Sequence, residues 1–313
     1  MAFAHENVAK KERFYDRQKF KTSSGNLVEY IFFDRGKEET LHFVDGWALR
    51  LSCWKWQMRG KDENGLFKQY NLLFSNNRGH GESELGDSTE STFLTDCAKD
   101  RIELITDMGL SRIHLVAHSM GALIATEMHS MERTFDIPSI AFVTPAVCNP
   151  MKTFPWTDLV KPILDLADDK IVREKAITGM LLLLNGLTNP MTSWMYYSCF
   201  KIRSGSAVSF DSFRKFMEAI LNADPEVFVM EFGSMLENGD RIGEKMKGID
   251  CPVLAIIGHL DFLIAHKAVD ILEMLVPHAR IVVMPMTTHF PQAEHAEMFN
   301  GLLGDFLTTC KRI

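Results

Sequence analysis

From about residue 28 onward, short apolar runs alternate with longer amphipathic segments. "LVEYIFFD" and "LHFVDG" read as strands joined by the turn Arg35-Gly36-Lys37, because β-branched and aromatic residues are bounded there by glycine and charge. "YNLLFSNN" is the next strand and runs into a glycine-rich turn. "FLTDCAKDRIELITDMG" carries its apolar residues at helical spacing and is closed by Gly109. A strand over residues 113–116 and a helix over residues 122–131 follow. "SIAFVTP", "CPVLAIIG" and "ARIVVMP" are further strands, and an amphipathic helix closes the chain from about residue 293 to 310. Strands separated by helices predict an α/β fold, with a mostly parallel central sheet and helices on both faces.

The alternation breaks once. Between "SIAFVTP" and "CPVLAIIG" the chain offers no convincing strand, over a length too great for a connection in a compact domain. The texture there is helical and apolar: "WTDLVKPILDLADD", "REKAITGMLLLLNGL", "SWMYYSCFKI", "FDSFRKFMEAILN" and "PEVFVMEFGSML". The expectation is a helical cap over residues 147–249, inserted into a core domain made of residues 1–146 and 250–313. Most of its Met, Phe and Leu residues serve the cap's own packing. A share is left to line a lipophilic pocket, to which methionine adapts well.

Composition narrows the function classes. A chain of 313 residues, 46% hydrophobic and 24% charged, is an ordinary globular composition. A net charge of -7 argues against a nucleic-acid surface, which needs a basic stripe. The basic cluster over residues 10–21 is interrupted by Glu12 and Asp16 and reads as a solvated N-terminal arm. "MAFAHENVAKKERF" has no apolar core of a secretory signal, and no apolar run reaches the roughly 18 residues of a membrane span. The six cysteines are scattered without metal-ligand spacing, so reduced thiols and a cytoplasmic location are expected. Nothing in the sequence asks for a cofactor or a metal.

The stretch "IHLVAHSMGALIATEMHS" leaves an apolar strand, places Ser119 on the turn and enters a helix directly. Ala117 and Gly121 stand two residues to either side, where a sharp strand-to-helix reversal brings neighbouring chain close. This is the geometry of a nucleophile elbow, which pushes the serine hydroxyl out of the top of a sheet. The pattern is A-x-S-x-G instead of G-x-S-x-G. A serine that merely caps the helix is the alternative this stretch leaves open.

The elbow, "RGHGES", "GHLD" and "HFPQAEH" occur in that order. Through them nearly the whole chain after about residue 25 resembles the α/β-hydrolases, in the serine esterase and lipase-like branch with a helical cap. The resemblance implies a nucleophile, an acid and a base in that chain order. Ser119 is then the nucleophile, and His289, in the loop after the last core strand, is the base. Asp261, three residues past Gly258, is the acid; the loop after "SIAFVT" holds no carboxylate. Asp261 also suits the N-cap of a helix beginning near Ile264.

The resemblance also implies an oxyanion hole built from the backbone N–H groups of Met120 and Trp47, with Gly46 allowing close approach. Asp45 stands where the family usually has histidine before that glycine. Trp47, Trp54 and Trp56 with Gln57 resemble small esterases and perhydrolases, and a cofactor-free dioxygenase branch carries a similar "GW" loop. "NNRGHGES" reads as a structural turn tied down by Arg78 and Ser83, with no evident partner that would make His80 reactive. His295 falls on the terminal helix without a third ligand, which argues against a metal pair with His289. The implied activity is hydrolysis of a small apolar carboxylic ester, such as a mono-acyl lipid, through an acyl-serine. An aspartate elbow, as in epoxide hydrolases, is excluded by Ser119. Other readings are a C–C hydrolase, a perhydrolase, a cofactor-free oxygenase using the His–Asp pair, and a ligand-binding protein with a vestigial triad.

Overall fold

The computed structural model describes residues 15–58, 66–153, 223–261, 263–264 and 266–310, together with residue 198. Eight strands form one sheet: β1 (Gln18–Lys21), β2 (Leu27–Phe33), β3 (Glu39–Val44), β4 (Asn71–Ser75), β5 (Arg112–His118), β6 (Ile140–Val143), β7 (Val253–Gly258) and β8 (Arg280–Met284). Their spatial order is β1-β2-β4-β3-β5-β6-β7-β8. β2 is antiparallel to β1 and β4, and every pair from β4 to β8 is parallel. β4, β6 and β7 are buried at every position, as strands covered on both faces must be. The expected fold class is what the chain adopts.

Among the described residues, five longer helices cover the sheet: α1 (Phe93–Asp107), α2 (Gly121–Ser130), α3 (Pro225–Lys245), α4 (His266–Leu275) and α5 (Ala296–Cys310). One face packs against α1 to α4 through residues such as Leu104, Leu123, Ile124, Ile242 and Leu272. The other packs against α5 and the turn before residue 58, through Trp54, Phe299, Leu303 and Leu307 over Phe43 and Phe74. No described helix is long and apolar enough to cross a membrane.

Two expectations change. Residues 18–21, read as part of a solvated arm, form the edge strand β1, and Arg17 bridges to the buried Glu29 on β2 at 2.8 Å. Backbone pairing, which polar side chains do not betray, carries that strand. The helix at the end of the chain starts only at Ala296, after a separate helical turn over Pro291–Glu294. Of the expected cap, residues 154–222 lie outside the described residues except for residue 198. Its last part, α3, packs against α1 and α2.

The order β4-β3-β5 has a consequence for the site. The chain steps from β3 to one side and returns to the other, so the carboxyl ends of β3 and β5 lie side by side at a switch point. Crevices that take ligands open at such points. The loops after these two strands carry Trp47 and Ser119.

Candidate active site

Ser119 follows β5 directly and has φ = 52°, a left-handed conformation rare for a residue with a side chain. Its N–H donates to Val143 O at 2.9 Å, and its carbonyl accepts from Ala122 N and Ala146 N at 3.0 Å each. The strain is thus held by β6 on one side and α2 on the other. Gly121 is required here: a Cβ on it would lie 2.6 Å from the Asp45 carbonyl oxygen and 2.7 Å from that of Val44. Gly46 meets the elbow from the opposite side, where a Cβ would stand 3.0 Å from Ser119 Cβ. Of the small residues expected around Ser119, Gly121 therefore has a contact reason.

His289 is brought to this elbow by its own backbone. Its carbonyl accepts from Nε2 of His118, the residue before Ser119, at 2.8 Å, and from Thr144 Oγ1 at 3.1 Å. The two imidazoles lie 4.9 Å apart between centroids. Donation to a carbonyl fixes the proton of His118 on Nε2. Burial, then the neighbouring His289, push its pKa well below the ordinary imidazole value, so His118 stays neutral.

Nδ1 of His289 lies 2.8 Å from Asp261 Oδ2, with both side chains buried. The other oxygen, Oδ1, accepts from Leu263 N at 2.8 Å and Ile264 N at 2.9 Å. One oxygen thus faces His289, and the other closes a turn at Leu263 and Ile264 ahead of α4, which begins at His266. With Asp261 as acceptor, Nδ1 carries the proton and Nε2 is left with its lone pair. Glu294 braces the same loop, accepting from Thr288 N, Thr288 Oγ1 and Phe290 N.

Met120 is fully buried at the start of α2. Trp47 is half-buried after β3, its ring against Phe228 and Phe232 of α3 and its Nε1 donating to Phe228 O at 3.0 Å. Asp45 is fully buried and accepts from Trp54 Nε1 at 2.8 Å. Burial pushes its pKa up to about 7, against the opposing pull of Arg101. The "RGHGES" turn is tied down as expected. Arg78 grips Asp100 with two hydrogen bonds of 2.7 Å, and Ser83 Oγ accepts from Glu29 N at 2.8 Å.

A model of the alpha/beta hydrolase family matches residues 46–302. The chain belongs to the alpha/beta hydrolase family. Among relatives, a pimeloyl-[acyl-carrier protein] methyl ester esterase of Yersinia enterocolitica is 35% identical over 82 residues, 26% of this chain and only 32% of that enzyme. Among solved structures, a bromoperoxidase from Bacillus anthracis has a TM-score of 0.68 at 20% identity, covering 94% of this chain and 100% of its own. A putative aryl esterase from Burkholderia cenocepacia has a TM-score of 0.69 at 16% identity, covering 95% and 100%. At those identities the likeness is one of fold.

Sequence reasoning missed one member of this alpha/beta hydrolase site's surroundings. Glu231 of α3 is fully buried behind the Trp47 loop and lies 3.6 Å from Nε2 of His80, the histidine that had no evident partner. A signal existed. Glu231 interrupts the apolar run "VFVMEFGSML" on the face shared by Val227, Phe228 and Met235, where a charge has no reason to be unless something meets it.

Proposed function

We propose that the protein is a serine hydrolase that cleaves an apolar carboxylic ester through an acyl-Ser119 intermediate. The observation that carries this reading is the buried His289–Asp261 pair, anchored through His118 to the residue before a strained elbow serine. His289 Nε2 takes the Ser119 proton as the hydroxyl attacks the ester carbonyl, and returns it to the leaving alcohol. Asp261 keeps the imidazole in the tautomer that can do this. The N–H groups of Met120 and Trp47 receive the developing oxyanion. Water, activated by the same imidazole, releases the acid. Relatives named as esterases support the reaction class. The expected cap falls mainly on residues 154–222, outside the described residues. The five described cysteines are free thiols, which favours the cytosol.

A fluorophosphonate probe should label Ser119 covalently, located by peptide mapping. Ser119→Ala should neither label nor turn over p-nitrophenyl esters. Undiminished esterase activity in that variant would remove Ser119 as the nucleophile.

A further inference from the structure

The loop that follows β3 is clamped from outside. Ala48 has φ = 57°, a left-handed conformation that the loop must hold without a glycine. Within the loop the only closing bond described is Leu49 N to Gly46 O, at 3.3 Å. The stronger ties come from one face of α3. Ala48 N donates to Glu231 Oε2 at 2.8 Å, and Trp47 Nε1 donates to Phe228 O at 3.0 Å. Phe228, Glu231 and Phe232 are spaced three and four apart, so they share that face, and both rings pack on Trp47. The peptide unit between Trp47 and Ala48 is thus held at the indole on one side and at the following N–H on the other.

The chemistry of Glu231 suits a fixed acceptor. His80 Nδ1 donates to Arg78 O at 3.1 Å, which leaves the lone pair on Nε2, and that nitrogen faces Glu231 Oε2 at 3.6 Å. Both side chains are all but fully buried. Burial raises the Glu231 pKa well above the carboxylate range, with Asp45 adding to it and the Ala48 N–H and Asn77 opposing. Burial brings His80 down to about 4. His80 is therefore uncharged at neutral pH. The oxygen that accepts from Ala48, Oε2, is also the one that faces His80, so the loop and the "RGHGES" turn meet at a single atom.

We propose that Glu231 is a positioning residue of the active site, which together with the Phe228 carbonyl holds the Trp47 loop in the orientation that acyl transfer to Ser119 needs. This rests on the serine-hydrolase reading above. An oxyanion donor works only when aimed at the transition-state oxygen, so rotation about the Trp47 backbone costs rate more than binding. The helix that supplies the clamp begins three residues after the undescribed stretch ending at residue 222, which ties the loop to the segment proposed as the cap.

The test compares Glu231→Ala and Glu231→Gln with the wild type in two assays: steady-state hydrolysis of p-nitrophenyl butyrate and the rate of fluorophosphonate labelling at Ser119. Glu231→Ala should lower kcat on the order of 10²-fold, with KM within about threefold, and slow labelling comparably. Glutamine keeps a side-chain oxygen to accept from Ala48, so Glu231→Gln should recover most of the rate. Wild-type kcat and labelling in Glu231→Ala, or a glutamine variant as slow as the alanine one, would overturn the proposal. Should Glu231→Ala fail to fold, Trp47→Phe removes the hydrogen bond to Phe228 while keeping an aromatic ring against α3; a fall in kcat with KM little changed supports the clamp and an unchanged kcat overturns it. A wild-type protein that the probe never labels at Ser119 defeats the hydrolase reading and takes this inference with it. Normal wild-type labelling with no change in Glu231→Ala defeats this inference alone.

Discussion

Asp261 uses its two oxygens for two purposes, and a single isosteric change separates them. Oδ1 receives Leu263 N and Ile264 N and so turns the chain toward α4, whereas Oδ2 receives His289 Nδ1. In Asp261→Asn the amide oxygen can keep the turn, but the amide nitrogen then meets Nδ1 as a second donor. The imidazole escapes by moving its proton to Nε2, where it can no longer accept from Ser119. The melting temperature should therefore stay close to that of the wild type while kcat falls on the order of 10⁴-fold, as in other triads whose tautomer is lost. Thermal melts beside steady-state kinetics check this. Near-normal turnover would move the orienting role elsewhere, and Glu294, already engaged with Thr288 and Phe290, would have to give up those bonds to take it.

At the level of elements, Asp45 joins the end of β3 to the turn that carries Trp54 and Cys53, accepting from both. Its sequence position was legible as a departure from the family's histidine, but its charge state was not, because burial decides it. With a folded pKa of about 7 against a usual 3.8, the native state keeps the proton over a pH range in which the unfolded chain has lost it. Stability from this group is therefore present at low pH and drains away as pH rises from about 4 to about 7. Asp45→Asn keeps an oxygen for Trp54 and has no proton to lose. Relative to the wild type, the asparagine variant should gain roughly 2–3 kcal/mol between pH 5 and pH 8, measured as the change in urea unfolding free energies. Parallel pH profiles for the two proteins would show that Asp45 is ionised in the fold. The same distinction between pattern and environment explains which elements could be read. β3 to β7 are largely buried apolar runs, β8 is an apolar run that stays partly exposed, and the 15 residues of α1 show helical spacing up to Gly109. β1 has polar residues at three of its four positions, so nothing alternates, and only its pairing with β2 reveals it. Ser119, His289 and Asp261 could be singled out in the sequence because each follows a strand that the pattern exposes. Glu231 could not, because its meaning depends on Ala48 and His80, about 180 and 150 residues away in the chain, and on a helix whose packing partners no local pattern specifies.

For the molecule as a whole, the open question is what the segment between β6 and α3 does for the site. It leaves the core after β6, whose end supplies Thr144 to the His289 carbonyl, and it returns into α3, whose first turns hold Trp47. Both junctions therefore lie at the end of the sheet where Ser119 emerges. Segments such as "MLLLLNGL" and "SWMYYSCF" are rich in aliphatic and aromatic side chains. In the proposed reading the substrate carries an apolar acyl chain. Each methylene moved from water into an apolar pocket contributes about 0.8 kcal/mol. That is up to roughly fourfold in kcat/KM per carbon if the gain is fully realised in the transition state. Over p-nitrophenyl esters from C2 to C12, kcat/KM should climb to a medium chain length and fall once the pocket is full. The loss beyond the maximum should come with a poorly accommodated chain, so inhibition by the matching free fatty acid should peak at the same length. A flat profile, or a strict preference for acetyl, would overturn the apolar-acyl reading and mean that the substrate is small.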